Sequence, residues 1–192
     1  NYKFSTHLSG KHNLYNVAAA ICLAIEENIS IKNIAKGLND FQGVGRRFEL
    51  SKIYLADQPH VLIDDYGHHP AEILSTILAT KEKFPRKKIC MIFEPHRYTR
   101  TQQLFDDFVK VLSKVDFLLL LDIYPASEKP IRGISSKKIA FQISKNHKNA
   151  HYLGSQDPID WLQNNHQDFS ILITQGAGTI SKLNNEIKKK WQ

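Results

Sequence analysis

The chain has 192 residues, 42% of them hydrophobic, 10% aromatic and 23% charged, a composition that excludes a disordered chain and suits one ordinary domain, or one domain plus part of another. Its longest apolar run, Val115–Ile123, is broken by Asp116 and Asp122 and falls far short of the roughly 20 residues a membrane span requires. The net charge of +7 favours anionic partners, but the cations are not pooled in one arm and the lysine run Lys188–Lys190 suits a helix end, so phosphate-bearing metabolites are expected rather than nucleic acid.

In chain order, Tyr2–Leu8 reads as a strand. A helix is predicted from about Asn13 to Glu27, with Leu14, Val17, Ala18, Ile21, Cys22 and Ile25 on one inward stripe. A shorter helix follows the N-cap Ser30, burying Ile31, Ile34, Ala35 and Leu38. Two helices and one strand cannot close a core, and Asn1 is not an initiator Met. This part therefore reads as the tail of a domain in a longer polypeptide. No signal-peptide pattern opens the chain, and Cys22 and Cys90 lie in apolar segments without ligand spacing, so both are expected as reduced core residues of a cytoplasmic protein.

From Val61 the pattern alternates. Val61–Ile63 is a strand, and Pro70 opens a helix burying Ile73, Leu74, Ile77 and Leu78. Ile89–Phe93 is the next strand, followed by a helix carrying Leu104, Phe105, Phe108 and Leu112. Phe117–Leu121 has the continuous apolar character of a parallel strand buried on both faces. A helix at Ser136–Ser144, a strand at His151–Leu153, a helix opened by Asp157-Pro158, a strand at Ser170–Thr174 and a helix lined by Ile180, Leu183 and Ile187 complete it. The alternation predicts a doubly wound α/β domain with a mostly parallel sheet. Ligands of such sheets collect at the carboxyl ends of the strands.

Four strand ends carry polar strings that would share one crevice: Asp64–Pro70, Glu94–Thr101, Asp122–Glu128 and Gln175–Thr179. Adjacent side chains point apart, so His68 and His69 do not make a metal site together, and no metal-binding residue is assigned. Arg97 and Arg100 stand three apart at a helix start, where two cations oppose the dipole unless an anion lies between them. Gly176-Ala177-Gly178 lacks dinucleotide-binding spacing; it either lets a helix approach the sheet closely or holds an anion. Asn13 and Asn16 have the donor–acceptor pattern that suits an adenine edge, although Asn13 taken alone reads first as a plain N-cap. Arg46 and Arg47, beside Gly43 and Gly45, suit either a hinge with a phosphate contact or the start of a surface strand.

Together these strings resemble the Mur ligases, the ATP-dependent amino-acid ligases of peptidoglycan precursor synthesis. The likeness rests on Gly10–Ala20, Gly45–Glu49, Asp64–Pro70, Pro95–Thr101, Asp122–Ala126 and Gly176–Gly178, in order along nearly the whole chain. The resemblance implies a three-domain enzyme, with residues 1–44 the tail of the central ATPase domain and 45–192 the Rossmann-like C-terminal domain that binds the amino acid. It implies joining of L-alanine to the lactyl carboxylate of UDP-N-acetylmuramate through an acyl phosphate, in the cytoplasm. A family member that recycles murein tripeptide fits second, and a non-catalytic nucleotide- or anion-binding module is the reading from another class. By the same resemblance His12, Asn13, Asn16, Arg46, Arg47 and Asp65 bind ATP: the two asparagines flank adenine, Arg47 touches phosphate and Asp65 the ribose. Tyr66, His68, His96, Arg97 and Arg100 line the amino-acid site, with His68, Arg97 and Arg100 closest to the chemistry. The family's P-loop and magnesium-holding residues are absent from this sequence, so ATP's phosphates and Mg would be held elsewhere. The family usually has glycine where this chain has Ser127.

Overall fold

The computed structural model describes residues 2–8, 10–41, 43–146 and 149–192, without the side chains of Lys11 and His12. Two helices come first, α1 (Lys11–Glu26) and α2 (Ile31–Asp40). Ser30 caps α2 by accepting from the Asn33 amide at 3.3 Å. The first helix starts two residues earlier than expected, with Gly10 at the cap position and φ +94. Asn13 is therefore inside the first turn and does not act as the N-cap.

The remainder is a six-stranded sheet. In chain order it comprises β1 (Glu49–Leu55), β2 (Gln58–Asp65), α3 (Pro70–Lys83), β3 (Ile89–Glu94), α4 (Tyr98–Gln103), α5 (Phe105–Leu112) and β4 (Phe117–Leu121). Then follow α6 (Ser136–Ser144), β5 (Ala150–Gly154), α7 (Pro158–Asn165), β6 (Ile171–Gly176) and α8 (Ile180–Trp191). The strand order is β1-β2-β6-β3-β4-β5. All neighbours are parallel except β1 and β2, which pair antiparallel from Glu49↔Asp64 to Leu55↔Gln58.

Alternation along the central strands divides the core into two layers. Met91, Phe93, Leu118, Leu120, Ile171 and Ile173 pack with Ile73 and Ile77 of α3, Phe108 and Leu112 of α5, and Ile139 and Ile143 of α6. Cys90, Ile92, Leu119 and Leu172 face the other way, onto Ile159 and Leu162 of α7 and Ile180, Leu183 and Ile187 of α8. Burial on both faces makes these strands continuous apolar runs rather than alternating ones. The expected doubly wound, mostly parallel α/β architecture is the fold observed.

Several local expectations are corrected. Tyr2–Leu8 is not a strand, because it has no ladder partner among the described residues. The stripe of α1 is not buried: Leu14, Ala18, Cys22 and Ile25 are exposed, with nothing described packing over them, and only Val17 and Ile21 are partly covered. Cys22 is accordingly no core residue, whereas Cys90 is fully buried and burial pushes its thiol pKa far up. Leu78, on the outer side of α3, is 56% exposed. The helix expected after β3 is two helices, divided where Leu104 takes a non-helical ψ. Strand β1 escaped the sequence reading because an edge strand with one wet face shows no apolar run. Among the described residues no helix is long and apolar enough to cross a membrane.

Candidate functional site

The strands β3, β4 and β5 follow one another outward, and β6 returns to insert between β2 and β3. Their carboxyl ends, Asp65, Gln175–Gly176, Glu94 and Leu121, therefore lie side by side, at the reversal of strand order where open α/β sheets bind ligands. The loops after these strands bring the predicted residues together.

The loop after β2 is organised by Asp65. Its Oδ1 accepts from the Gly67 amide at 2.8 Å and from Gln175 Nε2 at 3.0 Å, and its Oδ2 from the Phe48 amide at 2.9 Å. Burial raises the Asp65 pKa, opposed by these donors. Both oxygens are thus engaged within the protein, so Asp65 builds the loop. The resemblance implies a ribose contact there as well, and Oδ2, with one donor from the protein, keeps a lone pair for it. Gly67 is required for space, since a Cβ there would lie 2.7 Å from both Asp65 Oδ1 and Gln175 Nε2.

Past Asp65 the two histidines diverge. The His69 ring accepts from the Ala71 amide at 3.2 Å and caps α3. His68 turns instead to the crevice, with Nδ1 3.3 Å from the Tyr66 carbonyl. Glu72 accepts from the amides of both histidines at 2.9 Å. Those bonds outweigh burial and lower its pKa below the ordinary 4.5. A lowered folded-state pKa contributes stability above the unfolded value, which is lost as pH falls through the folded one. Burial raises the pKa of Asp64 and Asp65, so those groups act in the opposite sense. Thermal melts of Glu72→Gln and the parent chain between about pH 5 and pH 3 are expected to show a shallower acid loss in the variant; parallel curves would mean that Glu72 does not carry this dependence.

Arg46 and Arg47 separate in role. Arg46, in a left-handed conformation at φ +59, is drawn inward: Nη2 donates to the Gly176 carbonyl at 2.6 Å and Nε lies 3.4 Å from Asp64. Arg47 is exposed and its guanidinium lies 5.8 Å from the centre of the Tyr66 ring. Arg47 also lines a cavity of ≈ 690 Å³ together with Asn13, Asn16, Val17, Leu38 and Phe41. An apolar cleft lined in part by two amides and one cation has the chemistry to hold a purine base and an adjoining phosphate. The expectation for the His12 side chain lies outside the described residues.

Beyond Tyr66 the rings continue. Tyr66 meets the His68 ring edge-on at 5.5 Å, His68 lies 5.6 Å from the His96 ring, and His96 stacks on Tyr124 at 5.4 Å. Arg100 Nη1 lies 3.3 Å from His96 Nδ1 and 3.2 Å from the His96 carbonyl. A guanidinium only donates, so Nδ1 is the acceptor and the ring proton sits on Nε2. Burial, with the His68 ring and both arginines nearby, lowers the His96 pKa, in the direction of the neutral ring. Arg97 is exposed at the N-cap of α4 with φ +76.

The glycine string after β6 has a structural reading. Glu94 accepts from Thr179 Oγ1 at 2.6 Å and from the Ile180 amide at 3.0 Å, so the anion at the start of α8 is the protein's own. Among the described residues no three His, Cys, Asp or Glu side chains gather as a metal site.

An open, mostly parallel sheet with a histidine–arginine cluster at its carboxyl ends, beside a cleft lined by α1, α2 and Arg47, defines an α/β domain of the doubly wound class. The chain belongs to the Mur ligase family: residues 46–178 match the family described as Mur ligase, glutamate ligase domain. In structure it is similar to a UDP-N-acetylmuramate-alanine ligase from Thermotoga maritima, 24% identical, with a TM-score of 0.76 over 99% of this chain and 40% of that one. It is also similar to a murein peptide ligase from Psychrobacter arcticus, 19% identical, TM-score 0.65, over 97% of this chain and 38% of that one. A folylpolyglutamate synthase from Thermotoga maritima is 14% identical, TM-score 0.65, over 99% and 42% respectively. The chain thus spans about two fifths of the length of these structures.

Proposed function

We propose that this chain is the amino-acid-binding part of a cytoplasmic ATP-dependent ligase that joins L-alanine to the lactyl carboxylate of UDP-N-acetylmuramate, in peptidoglycan precursor synthesis. The observation that carries the reading is continuity: Arg47 borders the cleft, and Tyr66, His68, His96 and Arg100 follow it ring by ring. Residues 1–44 would complete an ATP-binding domain and 45–192 form the amino-acid domain.

ATP, when bound, supplies the γ-phosphoryl group that converts the lactyl carboxylate to an acyl phosphate, a step that calls for positioning and charge neutralisation. In this reading Asn13 and Asn16 hold the adenine edge and Arg47 neutralises phosphate charge. Arg46 and Asp65 support these residues from within. Arg97 and Arg100 bind the carboxylate of the incoming amino acid, for which a planar guanidinium is the matching donor. Tyr66 and His96 wall the site. The alanine ammonium must lose a proton before its nitrogen attacks the acyl carbon and phosphate departs. His68 serves here: with Nδ1–H donating to the Tyr66 carbonyl, Nε2 keeps a lone pair to accept that proton. Magnesium would be held by the rest of the enzyme.

The test is phosphate release by the enzyme carrying both this chain and an ATP-binding half, with ATP, Mg, UDP-N-acetylmuramate and L-alanine omitted in turn. Dependence on all four is expected. Turnover only with a murein tripeptide in place of L-alanine would transfer the assignment to the recycling ligase. A folded protein without turnover on either would leave a binding module.

A further inference from the structure

The two clamp arginines stand on a helix that cannot hold itself. Helix α4 has six residues, far below the length at which a helix persists alone. Its N-cap, Arg97, offers no side-chain cap and has φ +76, a conformation that non-glycine residues adopt only when their surroundings enforce it. The loop after β4 does so. The Arg97 amide donates to the Tyr124 carbonyl at 2.9 Å and the Tyr124 amide to the Pro95 carbonyl at 2.8 Å. The chain then turns through Ala126 and Ser127, both with positive φ, and delivers Glu128 to the start of α4. There Glu128 Oε2 accepts from the Thr99 amide at 3.0 Å and Oε1 from Thr99 Oγ1 at 2.6 Å.

We propose that Glu128 is the positioning residue of the arginine clamp: by capping α4 from another loop it fixes where the helix starts, and with it the spacing and direction of Arg97 and Arg100. The helix start decides both side-chain vectors, because Arg97 is the cap and Arg100 lies in the first turn. The backbone bonds at Tyr124, the Tyr124–His96 ring stack and the Glu128 carboxylate thus tie the loops after β3 and β4 together, and Glu128 is the tie that reaches the start of α4. The low pKa that its bonds to Thr99 confer keeps the carboxylate an acceptor under ordinary conditions. The catalytic consequence rests on the reading of Arg97 and Arg100 as the amino-acid clamp; the capping role does not.

The experiment therefore has two arms. In the 192-residue chain, Glu128→Ala is expected to speed hydrogen exchange at the Thr99 amide about tenfold, the size of a lost helix cap, while Glu128→Gln stays within about threefold. The glutamine amide retains one acceptor for Thr99 N–H and gains a donor for its hydroxyl oxygen. In the ligase assay, Glu128→Ala is expected to raise KM for L-alanine about tenfold with KM for ATP within about twofold, and Glu128→Gln to restore it. Unchanged Thr99 exchange in Glu128→Ala overturns the proposal, as does Glu128→Gln matching Glu128→Ala, or equal rises in both KM values. The exchange arm needs no substrate. An expected exchange result beside an enzyme that ignores L-alanine supports the cap and removes the alanine assignment instead.

Discussion

Arg100→Ala is expected to raise KM for L-alanine about tenfold to a hundredfold while leaving KM for ATP within about twofold, since a hydrogen bond to a charged group contributes roughly 1.5–3 kcal/mol. Only part of the guanidinium is spent internally: Nη1 is held against His96, and the other nitrogens remain for a ligand. The same anchoring orients the fork before substrate arrives, which reduces the entropy lost on binding. Arg100→Lys should recover little of the loss, because an ammonium cannot grip His96 and a carboxylate with the same planar geometry. Steady-state kinetics with each substrate varied in turn would decide the point. Equal losses for L-alanine and ATP would remove Arg100 from the amino-acid site.

A second large effect is expected at Gly178. A Cβ there would lie 2.5 Å from Glu94 Oε2 and 2.6 Å from Tyr124 Cγ. Glu94 caps α8 and Tyr124 is stacked on His96, so neither can yield without disturbing what it supports. Overpacking of this kind costs about 1–3 kcal/mol, a fall of roughly 3–10 °C in melting temperature for a chain of this length. Gly178→Ala should also raise KM for L-alanine, because moving Tyr124 moves the His96 ring against which Arg100 rests. A melt and a kinetic run on the same preparation would read both effects. An unchanged melting temperature would show that the loop gives way freely and that the glycine serves another purpose.

The histidine and arginine strings were legible from residue types and spacing alone, since two cations at a helix start call for an anion. Part of the answer was hidden: the anion at α4 is Glu128, and that at α8 is Glu94. Neither carboxylate adjoins its helix in sequence, so no local pattern pointed to it. Asp65 was noticed for the right reason, as a carboxylate at a strand end, yet its partners Phe48 and Gln175 come from separate segments and turn it inward. Arg46 and Arg47 are indistinguishable as letters. The left-handed backbone at Arg46 sends one guanidinium to Gly176 and leaves the other at the cleft. Ser127 stands where the family usually has glycine and still adopts φ +71, so the turn there is imposed by the loop contacts.

By itself the sequence determined the alternation of strands and helices, the two-faced burial of β4, the cap at Ser30 and the helix start at Pro70. Each of these follows from the period of apolar residues or from the chemistry of one turn, information carried within a few neighbouring positions. Only the tertiary structure decided that β6 lies between β2 and β3, that β1 closes the edge antiparallel, and that the apolar stripe of α1 stays exposed. It alone decided, too, which carboxylates and guanidinium groups are spent inside and which face the crevice. These outcomes depend on contacts between residues far apart in the chain, where hydrogen-bond satisfaction and packing across the whole sheet select among arrangements that local preference leaves equal.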